Sequence, residues 1–94
     1  MITELDARYD SRRSFYGKAY IEEKRGEKVL FSYNTKVARK KADKVTLGQS
    51  YDYSSTTLRH VKEFLKQETN FFIDNVKDIR KLIKNGDIKL SSRF

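Results

Sequence analysis

The hydrophobic periodicity of this chain changes once, at Gly48, and the change limits the folds that are open to it. Before Gly48, apolar residues alternate with polar ones, as they do on a half-buried β-strand. After Gly48 they recur every three or four residues, which is the spacing of an amphipathic helix. Strands followed by helices predict a single α+β domain, in which a small antiparallel sheet in residues 1–48 is packed by two C-terminal helices.

Four strands are predicted in the N-terminal half, and short turns join them. They cover residues 18–24, 29–34, 36–40 and 44–47. Val29, Phe31 and Tyr33 are expected to share the apolar face of the second strand. Val37 is expected to point inward from the third strand, where the neighbouring Ala38 leaves the register open. Because the turns are tight, an antiparallel meander is the expected topology.

The two predicted helices cover residues 55–67 and 70–85. Their apolar positions are Leu58, Val61, Phe64 and Leu65 in the first helix, and Phe72, Val76, Ile79 and Ile83 in the second. Asn70 is expected to cap the second helix, and Gly86 suits the left-handed position that ends it. Residues 86–94 are expected to form a last short strand or a packed tail.

No residue of the chain is predicted to be catalytic or to hold a metal ion or a cofactor. Cysteine is absent, which excludes disulfides, thiol nucleophiles and cysteine metal sites. His60 is the single histidine, and it has no neighbouring carboxylates at metal-ligand spacing. It is expected to be a half-buried structural residue. Since the sequence also lacks a nucleophile–base pair and a phosphate loop, a binding protein is expected rather than an enzyme.

Positive charge is concentrated in two parts of the chain. Its 21 basic and 13 acidic residues give a formal net charge of +8. Residues 35–49 contain five basic residues against one acidic residue, and residues 69–94 contain six against three. Clustered cations indicate contact with a polyanion such as nucleic acid. The alternative is that the charge only keeps the protein in solution.

The predicted binding surface combines cations with loop tyrosines, because phosphate contact and base stacking need both. Its candidate residues are Arg12, Arg13, Arg39, Lys40, Lys41, Lys44, Tyr51, Tyr53, Arg59, Lys62, Lys66, Lys77, Arg80, Lys81 and Lys84. The cations are expected to face solvent, including those on the two helices. Tyr51 and Tyr53 are the expected exposed aromatic residues, whereas Phe31 and Tyr33 are expected in the core.

Three motifs follow one another in the chain: SFYGKA at residues 14–19, YNTKVA at 33–38 and YSSTTLRHVKEFLKQ at 53–67. Together they resemble a family of small, uncharacterised proteins from bacteriophages and prophages of low-GC Gram-positive bacteria. The likeness covers about residues 9–67 and carries no assigned activity. It implies a phage context, in which small proteins without enzymatic motifs often block host defences or regulate transcription. The basic excess lies where this chain departs from the family pattern, at residues 39–44 and after the first helix.

The resulting hypothesis is an inhibitor of a host nucleoprotein defence complex, specifically an anti-CRISPR protein that acts on a CRISPR effector. The alternatives are a free-standing DNA- or RNA-binding regulator and a phage accessory protein. The chain has neither an apolar run of about 18 residues nor a signal peptide, so a location in the host cytoplasm is expected and a membrane partner is not. An exposed edge of a small sheet would also allow a homodimer to form.

Overall fold

A six-stranded mixed sheet with two helices against one face forms the protein in a computed structural model, which describes residues 2–5 and 18–92. The strands are β1 (Ile2–Glu4), β2 (Ala19–Lys24), β3 (Glu27–Ser32), β4 (Thr35–Lys41), β5 (Lys44–Gly48) and β6 (Ile88–Ser91). The helices are α1 (Ser55–Glu68) and α2 (Val76–Asn85), and a short 3₁₀ helix at Gln49–Asp52 precedes α1. Strand order across the sheet follows the chain. All neighbouring pairs are antiparallel except β5 and β6, which are parallel.

The predicted α+β class is confirmed, but the sheet is larger than the four-stranded antiparallel sheet that the sequence indicated. The strands β2 to β5 lie where the four strands were predicted. The additional strands are the two edges: β1, which was not predicted, and β6, which is one of the two alternatives expected for residues 86–94. Strand β1 has three residues, too few for a periodic pattern. Strand β6 runs parallel to β5 because the chain crosses back through both helices before it reaches the sheet.

One face of the sheet contains the core. Leu30, Ala38 and Leu47 lie opposite one another on β3, β4 and β5, so their side chains share a face. All three are fully buried. Helix α1 lies against β3 and β4, and helix α2 lies against β6. The predicted apolar stripe of α1 packs into this core, where Val61, Phe64 and Leu65 are fully buried and Leu58 is partly buried.

A β-bulge on β4 settles the register that the sequence left open. Leu30 faces Ala38, whereas the next residue, Phe31, faces Lys36. Val37 is therefore the extra residue between the two pairs. Val37 and Ala38 are both buried, although they are adjacent and strict alternation would put them on opposite faces.

Strand β3 buries the opposite face from the one predicted. Leu30 and Ser32 are buried, while Val29 and Phe31 are half-buried and Tyr33 is 51% exposed. The prediction that Val29, Phe31 and Tyr33 face the core is wrong. Both faces of this strand carry apolar residues, so the sequence does not show which face is buried. Choosing the wrong face assigns every side chain of the strand to the wrong side of the sheet.

Helix α2 begins at Val76, six residues after the predicted start at residue 70, and Asn75 is its cap rather than Asn70. The Asn75 side chain accepts a hydrogen bond from the Lys77 N–H at 2.9 Å. The Asp78 carboxylate accepts in turn from the Asn75 N–H at 3.1 Å, which completes a capping box. Gly86 ends the helix in the left-handed conformation (φ 86°), as predicted.

Phe72 lies before α2, not on its apolar stripe, and is 84% exposed. Its predicted place in the core is wrong because the helix starts after it. Phe64 and Phe72 thus provide a buried and an exposed phenylalanine in one chain.

We expect Phe64→Ala to lower the free energy of unfolding by about 3–5 kcal/mol, because it leaves a cavity in the core. Phe72→Ala is the matched control and should change it by no more than about 0.5 kcal/mol. Urea unfolding followed by circular dichroism measures both values. Equal losses at the two positions would contradict the packing described above.

The stability of α2 should depend on pH through Asp78. The pKa of its carboxyl lies below the ordinary value because the Asp74 N–H (2.8 Å) and the Asn75 N–H (3.1 Å) donate to it, with Lys81 adding a favourable charge. Because the pKa is lower in the folded state, the ionised carboxylate stabilises the fold at pH values above its pKa in the unfolded chain, which is about 4. That stability is lost as the pH falls through the lowered pKa.

Asp78→Asn should therefore lower the melting temperature at neutral pH, and the difference from the wild type should shrink toward pH 2 (about the end of the Asp titration). Asp74→Asn is the control, since it removes one neighbouring charge without removing the capping carboxylate. Thermal unfolding at a series of pH values measures the effect. A difference between wild type and Asp78→Asn that stays constant with pH would show that the carboxylate charge is not involved.

Candidate nucleic-acid interface

The sheet face that the helices do not cover, called the outer face below, presents an alternating set of polar and aromatic side chains. Cross-strand pairing places on it Tyr20, Glu22, Lys24, Glu27, Val29, Phe31, Lys36, Arg39, Lys41, Lys44, Thr46 and Lys89, with Ile2 and Glu4 at the β1 edge. These residues alternate along each strand with those of the core. The outer face thus collects side chains from all six strands.

Cations outnumber acids on the described part of the outer face. The cations are Lys24, Lys36, Arg39, Lys41, Lys44 and Lys89, and all of them are exposed. The acids are Glu4, Glu22 and Glu27, all half-buried. Six cations minus three acids leave an excess of +3 among these strand residues, which attracts anions, while the adjoining turns add the acids Asp43 and Asp87.

A depression of about 580 Å³ lies on this face, where the sheet meets the turn between α2 and β6. Its charged lining residues are Glu27, Arg39, Lys41, Asp43, Lys44, Asp87 and Lys89. Arg39 Nε lies 3.4 Å from Glu27 Oε1. Surface ion pairs of this kind contribute at most about 1 kcal/mol.

Two aromatic rings stand beside the cations. Tyr20 and Phe31 lie directly opposite each other on β2 and β3, and both are half-buried. Lys36 lies opposite Phe31 on β4. Partly exposed rings next to an ammonium group can stack on a base while the cation holds the adjoining phosphate. Neither ring was among the candidate binding residues predicted from the sequence, which placed Phe31 in the core.

The predicted basic turn is divided by the sheet. Arg39, Lys41 and Lys44 lie on the outer face, whereas Lys40 points to the helix side and is half-buried. Lys40 lines a separate depression beside Glu68, at the end of α1. The prediction that all four cations face solvent together is wrong for Lys40, because neighbouring residues of a strand point to opposite faces.

The cations of α1 are half-buried rather than exposed, contrary to the prediction. They are Arg59, Lys62 and Lys66. Besides its apolar stripe, α1 also buries His60 and Glu63, which are 0% and 2% exposed. The buried face of α1 is therefore wider than predicted, and the three cations lie at the border of that face.

The cations of α2 are exposed, as predicted: Lys77, Arg80, Lys81 and Lys84. Arg80 lies 3.7 Å from Asp52 of the 3₁₀ helix. Because α2 lies against β6 on the core side of the sheet, these residues form a second basic surface, called the α2 surface below.

The loop tyrosines have different positions. Tyr53 is 84% exposed, as predicted, but Tyr51 is 6% exposed and belongs to the core. The prediction for Tyr51 is wrong because the 3₁₀ helix turns its side chain inward. Arg12 and Arg13 lie outside the described residues.

His60 is fully buried rather than half-buried, and its Nδ1 lies 2.8 Å from Ser32 Oγ. This pair was not predicted, because β3 and α1 bring together residues that are 28 positions apart in the chain. Among the described residues, no three His, Asp or Glu side chains are placed to hold a metal ion. Within residues 2–5 and 18–92, neither helix combines the length and hydrophobicity of a membrane span.

Comparison with known proteins identifies a family but no activity. Residues 3–84 match a family of unknown function, DUF8033. No curated protein and no solved structure matches the chain. The phage origin implied by the sequence motifs stays a prediction. Because the match covers most of the chain, from β1 to the last turn of α2, the protein belongs to the DUF8033 family of unknown function.

Proposed function

We propose that this protein is a non-enzymatic binding protein that holds nucleic acid on the outer face of its sheet. The observation that carries the proposal is the placement of six exposed cations and two partly exposed aromatic rings on one face. Phosphates need the cations, and bases stack on the rings. The proposed site of action is the cytoplasm.

The spacing of the cations suits an extended polyanion. They lie on β2, β4, β5 and β6, from Lys24 to Lys89. Four strand intervals of about 4.8 Å separate β2 from β6, so the charged surface extends about 19 Å across the strands. A stretch of several nucleotides can contact such a surface, and each phosphate contact releases counterions from the ligand.

The outer face is favoured over the α2 surface because it combines charge with stacking groups. Tyr20 and Phe31 share a cross-strand row with Lys36, one of the outer-face cations. One cation on each surface has an acidic neighbour, Glu27 beside Arg39 and Asp52 beside Arg80, so the rings make the difference. The α2 surface nevertheless supplies a control of equal charge.

The test compares two triple variants that each remove three exposed positive charges. One carries Arg39→Gln, Lys41→Gln and Lys44→Gln on the outer face, and the other carries Lys77→Gln, Lys81→Gln and Lys84→Gln on α2. The outer-face variant should reduce the slope of log affinity against log salt by about one for each lost phosphate contact, so by about two to three. The α2 variant should leave the slope closer to that of the wild type.

Fluorescence anisotropy with labelled single-stranded and duplex oligonucleotides at several salt concentrations measures these slopes. Each single substitution should change stability by no more than about 0.5 kcal/mol, which thermal unfolding checks. Equal losses in both variants would mean that only net charge matters. If neither variant binds differently from the wild type, the charge only keeps the protein in solution and the proposal is wrong.

A further arm uses a guide-loaded CRISPR effector in place of naked nucleic acid. Much tighter binding to the loaded effector than to naked strands would support an antagonist of the nucleoprotein complex. Equal binding to both would support a free-standing nucleic-acid-binding regulator. The same two triple variants then tell whether either interaction uses the outer face.

A further inference from the structure

A cleft of about 430 Å³ opens between the β3–β4 turn and the beginning of α1. Its lining includes Ser32, Tyr33, Thr35, Tyr53, Ser54 and Thr57. Every lining residue except Val37 carries a hydroxyl group, and none of these described residues is charged. Its volume falls in the range of pockets that hold small ligands. An uncharged, hydroxyl-rich cleft is unexpected in a chain with a net charge of +8.

The floor of the cleft is a buried hydrogen-bond network. Ser32 and Thr57 are 2% and 4% exposed. The Ser32 and Ser54 hydroxyls donate to Thr57 Oγ1 at 3.3 and 3.1 Å, and Ser32 Oγ also lies 2.8 Å from His60 Nδ1. Burial and mutual bonding fix these groups before any ligand arrives. The network therefore fixes the shape of the floor.

Two exposed tyrosines border the cleft. Tyr33 is 51% exposed and Tyr53 is 84% exposed. Tyr33 occupies a left-handed conformation (φ 51°) in the β3–β4 turn, beside Asn34 (φ 68°). Large side chains seldom adopt this conformation, and here it suits the tight hairpin. The centroid of the Tyr33 ring lies 5.9 Å from the centroid of the buried His60 ring.

We infer that this cleft binds an unpaired nucleobase, an inference that rests on the proposed nucleic-acid binding. Phosphate would need cations, which the cleft lining lacks, so the occupant is the uncharged part of a nucleotide. The exposed hydroxyls of Thr35 and Ser50 can donate and accept hydrogen bonds, as base edges require. Tyrosine rings stack on a base of any sequence. Lys36, next to Thr35 on the chain, is an exposed cation of the outer face, where the phosphate backbone would continue.

A base can enter the cleft only when it is unstacked and unpaired, so the ligand is a single strand. The outer face would hold the phosphates of that strand, and the cleft would take one base. The two sites then make different contributions: the cations of the outer face set the salt dependence, and the cleft adds to the preference for single strands.

The test variant is Tyr53→Ala, with Phe72→Ala as its matched control, because both aromatic side chains are 84% exposed and only Tyr53 lines the cleft. Tyr53→Ala should raise the Kd for a single-stranded oligonucleotide by about 5- to 150-fold, the effect of losing one stacked base. Its salt slope and its affinity for duplex should equal those of the wild type. Phe72→Ala should bind like the wild type, and Tyr53→Phe, which keeps the ring, should recover most of the affinity.

An abasic strand of the same length separates this inference from the proposed function. Wild-type protein should bind the base-bearing strand more tightly than the abasic strand, and Tyr53→Ala should lose the part of this preference that the cleft contributes, while stacking on Tyr20 and Phe31 of the outer face is kept. If the wild type binds both strands equally, or if Tyr53→Ala has no effect, the nucleobase inference is overturned while phosphate binding stands. If no strand binds even at low salt, both the inference and the proposed function fail.

Discussion

The contact between α1 and the middle of the sheet determines how the rest of the molecule is arranged. Val61, Phe64 and Leu65 pack on a face that includes Leu30 and Ala38, and all five side chains are fully buried. The chain has no disulfide to stabilise it, so this apolar contact has to supply much of the folding free energy. Because α1 covers one face only, charged side chains are accommodated on the other face, on α2 or at the border of α1.

Lys28 illustrates this arrangement, since it is a strand cation on the helix side. It lies on the same sheet face as Leu30 and forms a 2.9 Å ion pair with Glu68 at the end of α1. On the covered face, Lys28 is thus paired with an acid, because the ion pair replaces hydration that its ammonium group loses there. On the outer face hydration is retained, and cations are in excess. The charge pattern follows from which face is covered, before any ligand is considered.

The sequence was sufficient for the elements but not for their faces and edges. The change of periodicity at Gly48 predicted the order of strands and helices, and the α1 stripe was correct because its spacing is long and regular. The buried face of β3 was predicted wrongly because Leu30 and Phe31 are adjacent and equally apolar. Only the contact with α1 decides which of the two faces the core. The pairing of Ser32 with His60 and the entry of Tyr51 into the core depend on contacts distant in sequence, which local spacing does not report. The exposed cations of α2 were predictable because its apolar face is narrow.

The parallel pairing of β5 with β6 has a consequence for the order of folding. β2 to β5 are joined by short turns and can pair as soon as they are synthesised. Val45 of β5 instead pairs with Ile88 of β6, and both helices lie between them in the chain. Closing so long a loop is slower and entropically less favourable than forming a hairpin. Lys89 of β6 also lines the depression on the outer face. A nascent chain that has reached only α2 can therefore contain the meander and its aromatic rings, but it acquires the complete depression only when β6 docks.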